Sequence, residues 1–165
     1  MNLARTRTIT WDDPFAAARA GAERSGLAYL QAIATGALPQ FPIGAVLDMR
    51  IHEAAHGRVL VVCTPSEFHY NIIGTVHGGL AASMIDSASG CAVLSTLALG
   101  DSWTTIDLSV DYLLPITRES GVLSCEGRVV RSGRRVGLAD AELRDGAGRL
   151  LARGSSTCLL TRAGE

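Results

Sequence analysis

Residues 71–99 read NIIGTVHGGLAASMIDSASGCAVLSTLAL and join a glycine-rich turn to a long, mainly apolar segment. Gly78 and Gly79 allow the backbone to approach a partner molecule closely, because glycine has no Cβ. Residues 80–99 predict a helix that is buried on all sides, since most of their polar positions are serine and only Asp86 is charged. Burying a lone carboxylate is costly, so Asp86 is a candidate for chemistry.

Length and composition limit the class of protein. The chain has 165 residues, of which 47% are hydrophobic and 19% charged, so we expect one compact domain with a sizeable core. The formal net charge of −1 predicts no nucleic acid partner and no membrane partner. The four cysteines form no CxxC pair, which indicates reduced core residues. The first residues lack the apolar region of a secretory signal, so we expect a cytoplasmic protein.

The first forty residues predict a helical extension of the domain that follows. Asp12 or Asp13 can cap a helix with proline in its first turn, and apolar residues then recur at helical spacing over residues 15–34. The connector GALPQFPIG marks a boundary by its composition. We therefore divide the chain into an N-terminal helical extension, residues 1–40, and a main domain, residues 41–165.

Residues 52–56 spell HExxH, the zinc-binding pattern of metallopeptidases when it lies on a helix. The neighbouring residues 46–51 and 59–63 are rich in β-branched side chains and predict a hairpin, and Gly57 follows the motif directly. No third histidine follows at the spacing that metzincins use. The motif is therefore interpreted as a solvated hairpin turn, and no metal site is expected.

The second half of the chain predicts an antiparallel meander. Residues 103–113 predict a strand, and residues 122–131, 135–144 and 150–160 predict three more, joined by short turns. In the first of these strands, alternation assigns Thr104, Ile106, Leu108, Val110 and Tyr112 to the apolar face, and Thr105, Asp107, Ser109 and Asp111 to the polar face. The sum is an α+β fold in which an antiparallel sheet of about six strands wraps around the long helix.

Six residues around the glycine-rich turn form a pattern: Asn71, Gly74, His77, Gly78, Gly79 and Asp86, or N-x-x-G-x-x-H-G-G with an aspartate nine residues after the histidine. With the strand TTIDLSVDYLLP and the hairpin GRVVRSGRRVGLADAEL, this pattern resembles the hotdog-fold acyl-CoA thioesterases of the phenylacetate-pathway, PaaI-like type. The resemblance covers about residues 42–160. It implies homodimers that commonly pair into tetramers, and hydrolysis of acyl-CoA without metal or cofactor.

Four residues are candidate catalytic residues. The Gly78 N–H lies at a helix N-terminus, where it can donate to a developing oxyanion. By the resemblance Asn71 contacts the thioester, although it can also cap its own turn. Asp86 is a general base for water or a nucleophile that forms an anhydride, unless it only hydrogen-bonds within the fold. Thr105 matches a hydroxyl position that helps to hold the water, or is an ordinary strand threonine.

Substrate binding is assigned to the helix start and to a basic turn. His77 can position the turn or contact the substrate, and Gly79 permits close approach of the backbone. Arg131, Arg134 and Arg135 cluster at one hairpin turn. Their guanidinium groups can hold the phosphates of CoA or simply form a charged hairpin tip.

Helix geometry predicts an active site shared by two chains. Gly79 and Asp86 are seven residues apart, or about 10.5 Å along a helix axis, too far for both ends to act on one carbonyl. We therefore expect Gly78 of one subunit to work with Asp86 of another across a two-fold dimer. Two alternatives remain open, a dehydratase or hydratase of acyl thioesters that uses His77, and a non-catalytic acyl-CoA-binding protein.

Overall fold

The computed structural model describes residues 4–164, which form four α-helices and six β-strands. The helices are α1 (Pro14–Ala22), α2 (Gly26–Ala34), α3 (Pro42–Leu47) and α4 (Gly78–Leu94). The strands are β1 (Met49–Ala55), β2 (Arg58–Cys63), β3 (Ser102–Tyr112), β4 (Leu123–Ser132), β5 (Val136–Arg144) and β6 (Leu150–Thr161). Two short 3₁₀ turns, Glu67–His69 and Arg118–Ser120, lie in the connections.

The six strands form one antiparallel sheet in the order β1-β2-β4-β5-β6-β3. The helix α4 lies in the concave face of this sheet and contacts every strand. Its side chains Met84, Ile85 and Val93 are completely buried in the common core. The predicted α+β fold, a hotdog arrangement of a sheet around a central helix, is therefore confirmed.

Glycines in two strands let α4 lie very close to the sheet. A Cβ at Gly127 of β4 would lie 2.1 Å from the Ala88 carbonyl oxygen of α4. A Cβ at Gly154 of β6 would lie 2.8 Å from the Ile85 side chain. Since real side chains cannot approach so closely, these glycines fix the distance between helix and sheet.

The N-terminal extension differs from its prediction. The single helix predicted over residues 15–34 is wrong, because the chain breaks between α1 and α2. Asp13 caps α1 and Ser25 caps α2 with their side chains. The Gly26 N–H then donates to the Leu97 carbonyl at 3.1 Å, which fixes the start of α2 beside the end of α4. Buried side chains of α2 consequently join the main core.

The hairpin of β1 and β2 is confirmed, but its first strand begins later than predicted. Residues 46 and 47 belong to α3, which ends at Leu47 and is followed by its C-cap Asp48 with a left-handed backbone φ of 54°. Strand β1 continues to Ala55, so most of the HExxH motif lies on a strand and not in a turn as predicted. The helix that a zinc site of this type requires is absent there. Within residues 4–164 no group of three or more potential metal ligands occurs.

The helix α4 is shorter at its C-terminal end than predicted. It ends at Leu94, and the hydroxyls of Ser95 and Thr96 donate to backbone carbonyls of the last turn. Such hydroxyl groups offer the backbone an alternative to helical hydrogen bonds. No helix in residues 4–164 is long and apolar enough to cross a membrane.

Candidate active site

Asp86 lies in the middle of α4, on the side that the sheet leaves partly uncovered. Its side chain is half-buried, and Oδ1 accepts a hydrogen bond of 2.9 Å from the Thr105 hydroxyl of β3. Ser83, about one turn before Asp86, and Ser87, the next residue in the chain, are also only partly buried. The hydrogen bond fixes the orientation of a carboxylate that a ligand can reach.

A β-bulge explains why Thr105 faces the helix. The register between β3 and β6 shifts between Thr105 and Asp107, so Ile106 is an extra residue in β3. Trp103 and Thr105 therefore face α4 before the bulge, while Ile106 is 58% exposed. The predicted polar-face assignment of Thr105 is wrong for this half of the strand. Bulges commonly redirect a side chain beside an active site, and this one directs a hydroxyl to Asp86.

The first two backbone N–H groups of α4, those of Gly78 and Gly79, have different hydrogen-bonding roles. The Gly79 N–H donates to Nδ1 of His77 at 2.8 Å, so His77 caps the helix. The Gly78 N–H occupies the first helical position, whose amide has no partner within the helix. Tyr112, predicted in the core, is instead 58% exposed, and its hydroxyl donates to the Gly78 carbonyl at 3.2 Å. This geometry leaves the Gly78 amide as the donor at the end of the helix.

Asn71 holds the turn that precedes α4. Its Oδ1 accepts hydrogen bonds from the N–H groups of Ile73 at 3.0 Å and Thr75 at 3.2 Å. Its Nδ2 donates to the Thr75 hydroxyl at 3.0 Å. The side chain therefore caps its own turn, and the second hydrogen of its amide can still be donated to a ligand.

The basic turn between β4 and β5 lies against the C-terminal end of α4. There the Thr96 hydroxyl donates to the Ser132 hydroxyl at 3.0 Å. Arg131, Arg134 and Arg135 are all exposed around this turn. Because α4 has 17 residues, the turn lies about 25 Å along the axis from the helix N-terminus. Within one chain, the arginines and Gly78 are therefore far apart.

A cleft of about 380 Å³, which we name the Asp86 cleft, lies beside the carboxylate. It is lined by α2, by β3 and by the partly uncovered side of α4. Asp86 and Thr105 provide polar groups, and apolar side chains that include Tyr29 and Trp103 provide most of the remaining surface. This combination is typical of small-ligand sites. The sequence reasoning missed these apolar residues, although Trp103 stands two positions before Thr105.

The thiol of Cys91 also lines the Asp86 cleft. Burial, followed by the neighbouring Asp86 and Cys158, raises its pKa to about 12. A thiol of this pKa is protonated at neutral pH and is a poor nucleophile. The carboxylate of Asp86 is therefore the better candidate for attack or base catalysis.

Gly78 and Asp86 are held apart by the helix that carries both. They are eight residues apart on α4, which corresponds to about 12 Å along the axis. Since α4 is continuous between them, no local rearrangement brings the amide and the carboxylate of one chain to the same carbonyl.

The chain is similar to known thioesterases. Residues 73–152 match the family described as the thioesterase superfamily. Acyl-coenzyme A thioesterase 13 of Homo sapiens is 31% identical over 105 residues, which cover 63% of this chain and 74% of the human protein. The structure of the E. coli PaaI protein, from the phenylacetic acid degradation operon, has a TM-score of 0.71 at 20% identity and covers 81% of this chain and 94% of its own.

A second solved structure extends this similarity. A phenylacetic acid degradation-related protein from Ralstonia eutropha has a TM-score of 0.71 at 27% identity, and the match covers 79% of this chain and 98% of that chain. Our chain belongs to the thioesterase superfamily. It is a thioester hydrolase with the hotdog fold, and the resemblance inferred from the N-x-x-G-x-x-H-G-G motif is confirmed.

Proposed function

We propose that the protein hydrolyses acyl-CoA thioesters by carboxylate-assisted attack of water, without a metal or a cofactor. The observation that carries this proposal is the hydrogen bond of 2.9 Å between Thr105 and Asp86 beside an apolar cleft. An acyl group fits the apolar part of such a cleft, while its thioester carbon lies at the carboxylate. The similarity to acyl-coenzyme A thioesterase 13 supports CoA as the thiol.

The reaction needs a polarised carbonyl and an activated water. In our proposal the carbonyl oxygen accepts a hydrogen bond from the Gly78 N–H, which stabilises the oxyanion that develops. The water oxygen attacks the carbonyl carbon while Asp86 accepts a proton from this water, and Thr105 keeps the carboxylate in position. The C–S bond then breaks, and the CoA thiolate leaves with a proton returned from Asp86. Alternatively, Asp86 attacks the carbon itself, the C–S bond breaks to release the CoA thiolate, and water hydrolyses the resulting anhydride to release the acid and restore the Asp86 carboxylate.

A two-fold dimer supplies both groups to one substrate. The separation of about 12 Å between Gly78 and Asp86 on one helix supports a site that takes one residue from each chain. Strand β3 forms an edge of the sheet and carries Ile106 and Tyr112, each 58% exposed. An exposed apolar edge strand favours pairing with a second chain. We further propose that such dimers pair into tetramers.

The nucleotide part of CoA is assigned to the basic turn between β4 and β5. Arg131, Arg134 and Arg135 are exposed there, and guanidinium groups suit phosphate binding. Substituting them by glutamine is expected to raise KM for acyl-CoA while kcat changes little.

The proposal is tested with thiol release from a panel of acyl-CoA thioesters, with and without EDTA. We expect wild-type hydrolysis to survive EDTA, and Asp86→Asn to lower kcat by roughly a hundredfold or more, because the amide cannot accept the proton. Asp140→Asn, which changes an exposed carboxylate on the central strand β5 outside the Asp86 cleft, is the matched control and should keep wild-type activity. Wild-type activity in Asp86→Asn contradicts the site, and no thiol release by the wild type contradicts the function.

A further inference from the structure

The Asp86 cleft is separated from a second cleft by three side chains. The second cleft, which we name the α1 cleft, has about 370 Å³ and lies between α1, α2 and the start of β3. Tyr29, Leu94 and Trp103 line both clefts. They therefore form a partition between a space that contains Asp86 and a space of equal size that does not.

The partition is packed firmly on both sides. A Cβ at Gly21 of α1 would lie 2.9 Å from the Tyr29 ring, so the ring lies directly against α1. A Cβ at Gly90 of α4 would lie 3.3 Å from Nε1 of Trp103, so the indole lies close over α4. Burial and the neighbouring Cys91 raise the pKa of the Tyr29 hydroxyl, in agreement with a ring that is partly buried.

The position of the partition limits the length of the acyl chain that fits in the Asp86 cleft. Leu94 follows Asp86 by eight residues on α4, which corresponds to about 12 Å along the axis. An extended hydrocarbon advances about 1.25 Å for each carbon–carbon bond, from a bond of about 1.5 Å and an angle near 111°. An acyl chain that starts at Asp86 therefore reaches the Trp103 indole over Gly90, about 6 Å along the axis, after about five bonds, and Leu94 at the far end of the partition after about ten.

Resting on the proposed function, we infer that Tyr29 of the N-terminal extension determines the longest acyl group that the enzyme accepts. Medium acyl chains and compact aryl-acetyl groups fit within the Asp86 cleft, whereas a long acyl chain meets the ring. Removing the ring joins the Asp86 cleft to the α1 cleft and extends the acyl site past Leu94. The N-terminal extension thereby contributes a specificity element to the active site.

The first test needs only the wild type. We measure kcat/KM for butyryl-, octanoyl-, palmitoyl- and phenylacetyl-CoA, below the concentration at which palmitoyl-CoA forms micelles. Octanoyl-CoA should exceed palmitoyl-CoA by roughly tenfold or more, as expected for a pocket that excludes extra methylenes sterically. If palmitoyl-CoA is hydrolysed as fast as octanoyl-CoA, the length limit is wrong. If no acyl-CoA is hydrolysed, the proposed function itself fails.

The second test changes the partition. Tyr29→Ala should raise kcat/KM for palmitoyl-CoA roughly tenfold, and with it the ratio of kcat/KM for palmitoyl-CoA to that for butyryl-CoA. Tyr29→Phe keeps the ring and should keep the wild-type length limit. Adding Ala18→Leu, which fills the α1 cleft from α1, to Tyr29→Ala should remove the gain. Tyr29→Leu, a milder truncation, replaces Tyr29→Ala if that variant does not fold.

A gain with palmitoyl-CoA cannot come from loss of structure, so it supports the partition directly. The inference is overturned if folded Tyr29→Ala or Tyr29→Leu keeps the wild-type ratio of kcat/KM for palmitoyl-CoA to that for butyryl-CoA. It is also overturned if Ala18→Leu leaves the gain unchanged, because the added chain length would then lie outside the α1 cleft.

Discussion

At the scale of single residues, the hydroxyl of Thr105 is the group that orients Asp86. Its hydrogen bond to Oδ1 is 2.9 Å long, and both side chains are half-buried. A hydrogen bond to a charged group contributes about 1.5–3 kcal/mol. If this energy is needed to hold the carboxylate for attack, its loss should lower the rate and hardly change substrate binding.

We therefore expect Thr105→Val, which keeps the shape and removes the hydroxyl, to lower kcat roughly tenfold to a hundredfold with KM little changed. Thr105→Ser restores the hydroxyl and should recover most of the rate. Steady-state kinetics with octanoyl-CoA checks both, and thermal unfolding shows whether the variants are folded. A Thr105→Val enzyme with wild-type kcat would show that the bond only stabilises the fold.

At the scale of elements, the segment between β2 and α4 is supported by one buried histidine. The His69 ring accepts a hydrogen bond from the Ser66 N–H at Nδ1, 3.1 Å, and donates from Nε2 to the Leu47 carbonyl of α3, 3.0 Å. The carbonyl of His69 accepts from the N–H of His77, 2.8 Å, immediately before α4. The neutral ring thus joins α3 to the start of the central helix.

Burial lowers the pKa of His69, and the nearby Arg7 acts in the same direction. Below the ordinary histidine pKa of about 6.5 the unfolded chain binds a proton that the folded chain resists, so stability should fall as pH falls. The slope is at most about 1.4 kcal/mol per pH unit and ends once pH passes the lowered pKa. Urea unfolding between about pH 7 and pH 5 measures this change of the unfolding free energy with pH.

The variant His69→Asn has no titrating ring and serves as the comparison. It is expected to be less stable than wild type at neutral pH, because two buried hydrogen bonds change, but to lose less stability on acidification. Equal pH slopes for the two proteins would assign the acid sensitivity to other groups.

Sequence periodicity predicted the elements whose side chains follow one uninterrupted pattern. The strands β4, β5 and β6 appear where alternation places them, and α4 lies where the apolar run predicts a helix, although it ends at Leu94. The prediction failed where one residue changes the pattern. The extra residue Ile106 reverses the face of Thr105, and the cap at Ser25 divides one apolar run into α1 and α2. The orientation of Thr105 involves a contact with Asp86 of α4 that the local sequence does not contain, whereas the Ser25 cap, which accepts from the Ala28 N–H, is a local signal.

In the candidate site, too, residues of one local motif could be predicted from sequence, whereas residues that meet only in the fold could not. Asp86, His77 and Gly78 belong to one short motif, so sequence alone could identify them. The lining of the Asp86 cleft comes from α2 and β3, which are far apart in the chain and meet only in the fold. Tyr29 therefore carried no sequence signal of a role in the site.

At the scale of the whole molecule, the dimer proposal depends on the length of α4. The helix holds Gly78 and Asp86 about 12 Å apart, so a catalytic pair must come from two chains if both groups act on one carbonyl. A two-fold axis then produces two equivalent sites, each with an amide from one subunit and a carboxylate from the other.

Heterodimers of defined composition test this arrangement. Gly78→Pro removes the amide hydrogen at the first helical position, where proline is well tolerated. The backbone of His77, with φ −62° and ψ 135°, already has the conformation that a following proline requires. Gly78→Ala adds a Cβ near Tyr112 but keeps the N–H, and it is the matched control. We expect Gly78→Pro to be inactive and Gly78→Ala to keep substantial activity.

Two heterodimers, purified through different tags on the two chains, then give opposite results. With Asp86→Asn in one chain and Gly78→Pro in the other, a shared site leaves one intact pair and about half the wild-type kcat per dimer. With both substitutions in one chain and a wild-type partner, a shared site leaves no intact pair and the dimer should be inactive. Sites confined to single chains reverse both results, so an inactive first heterodimer beside a half-active second one would contradict the shared site.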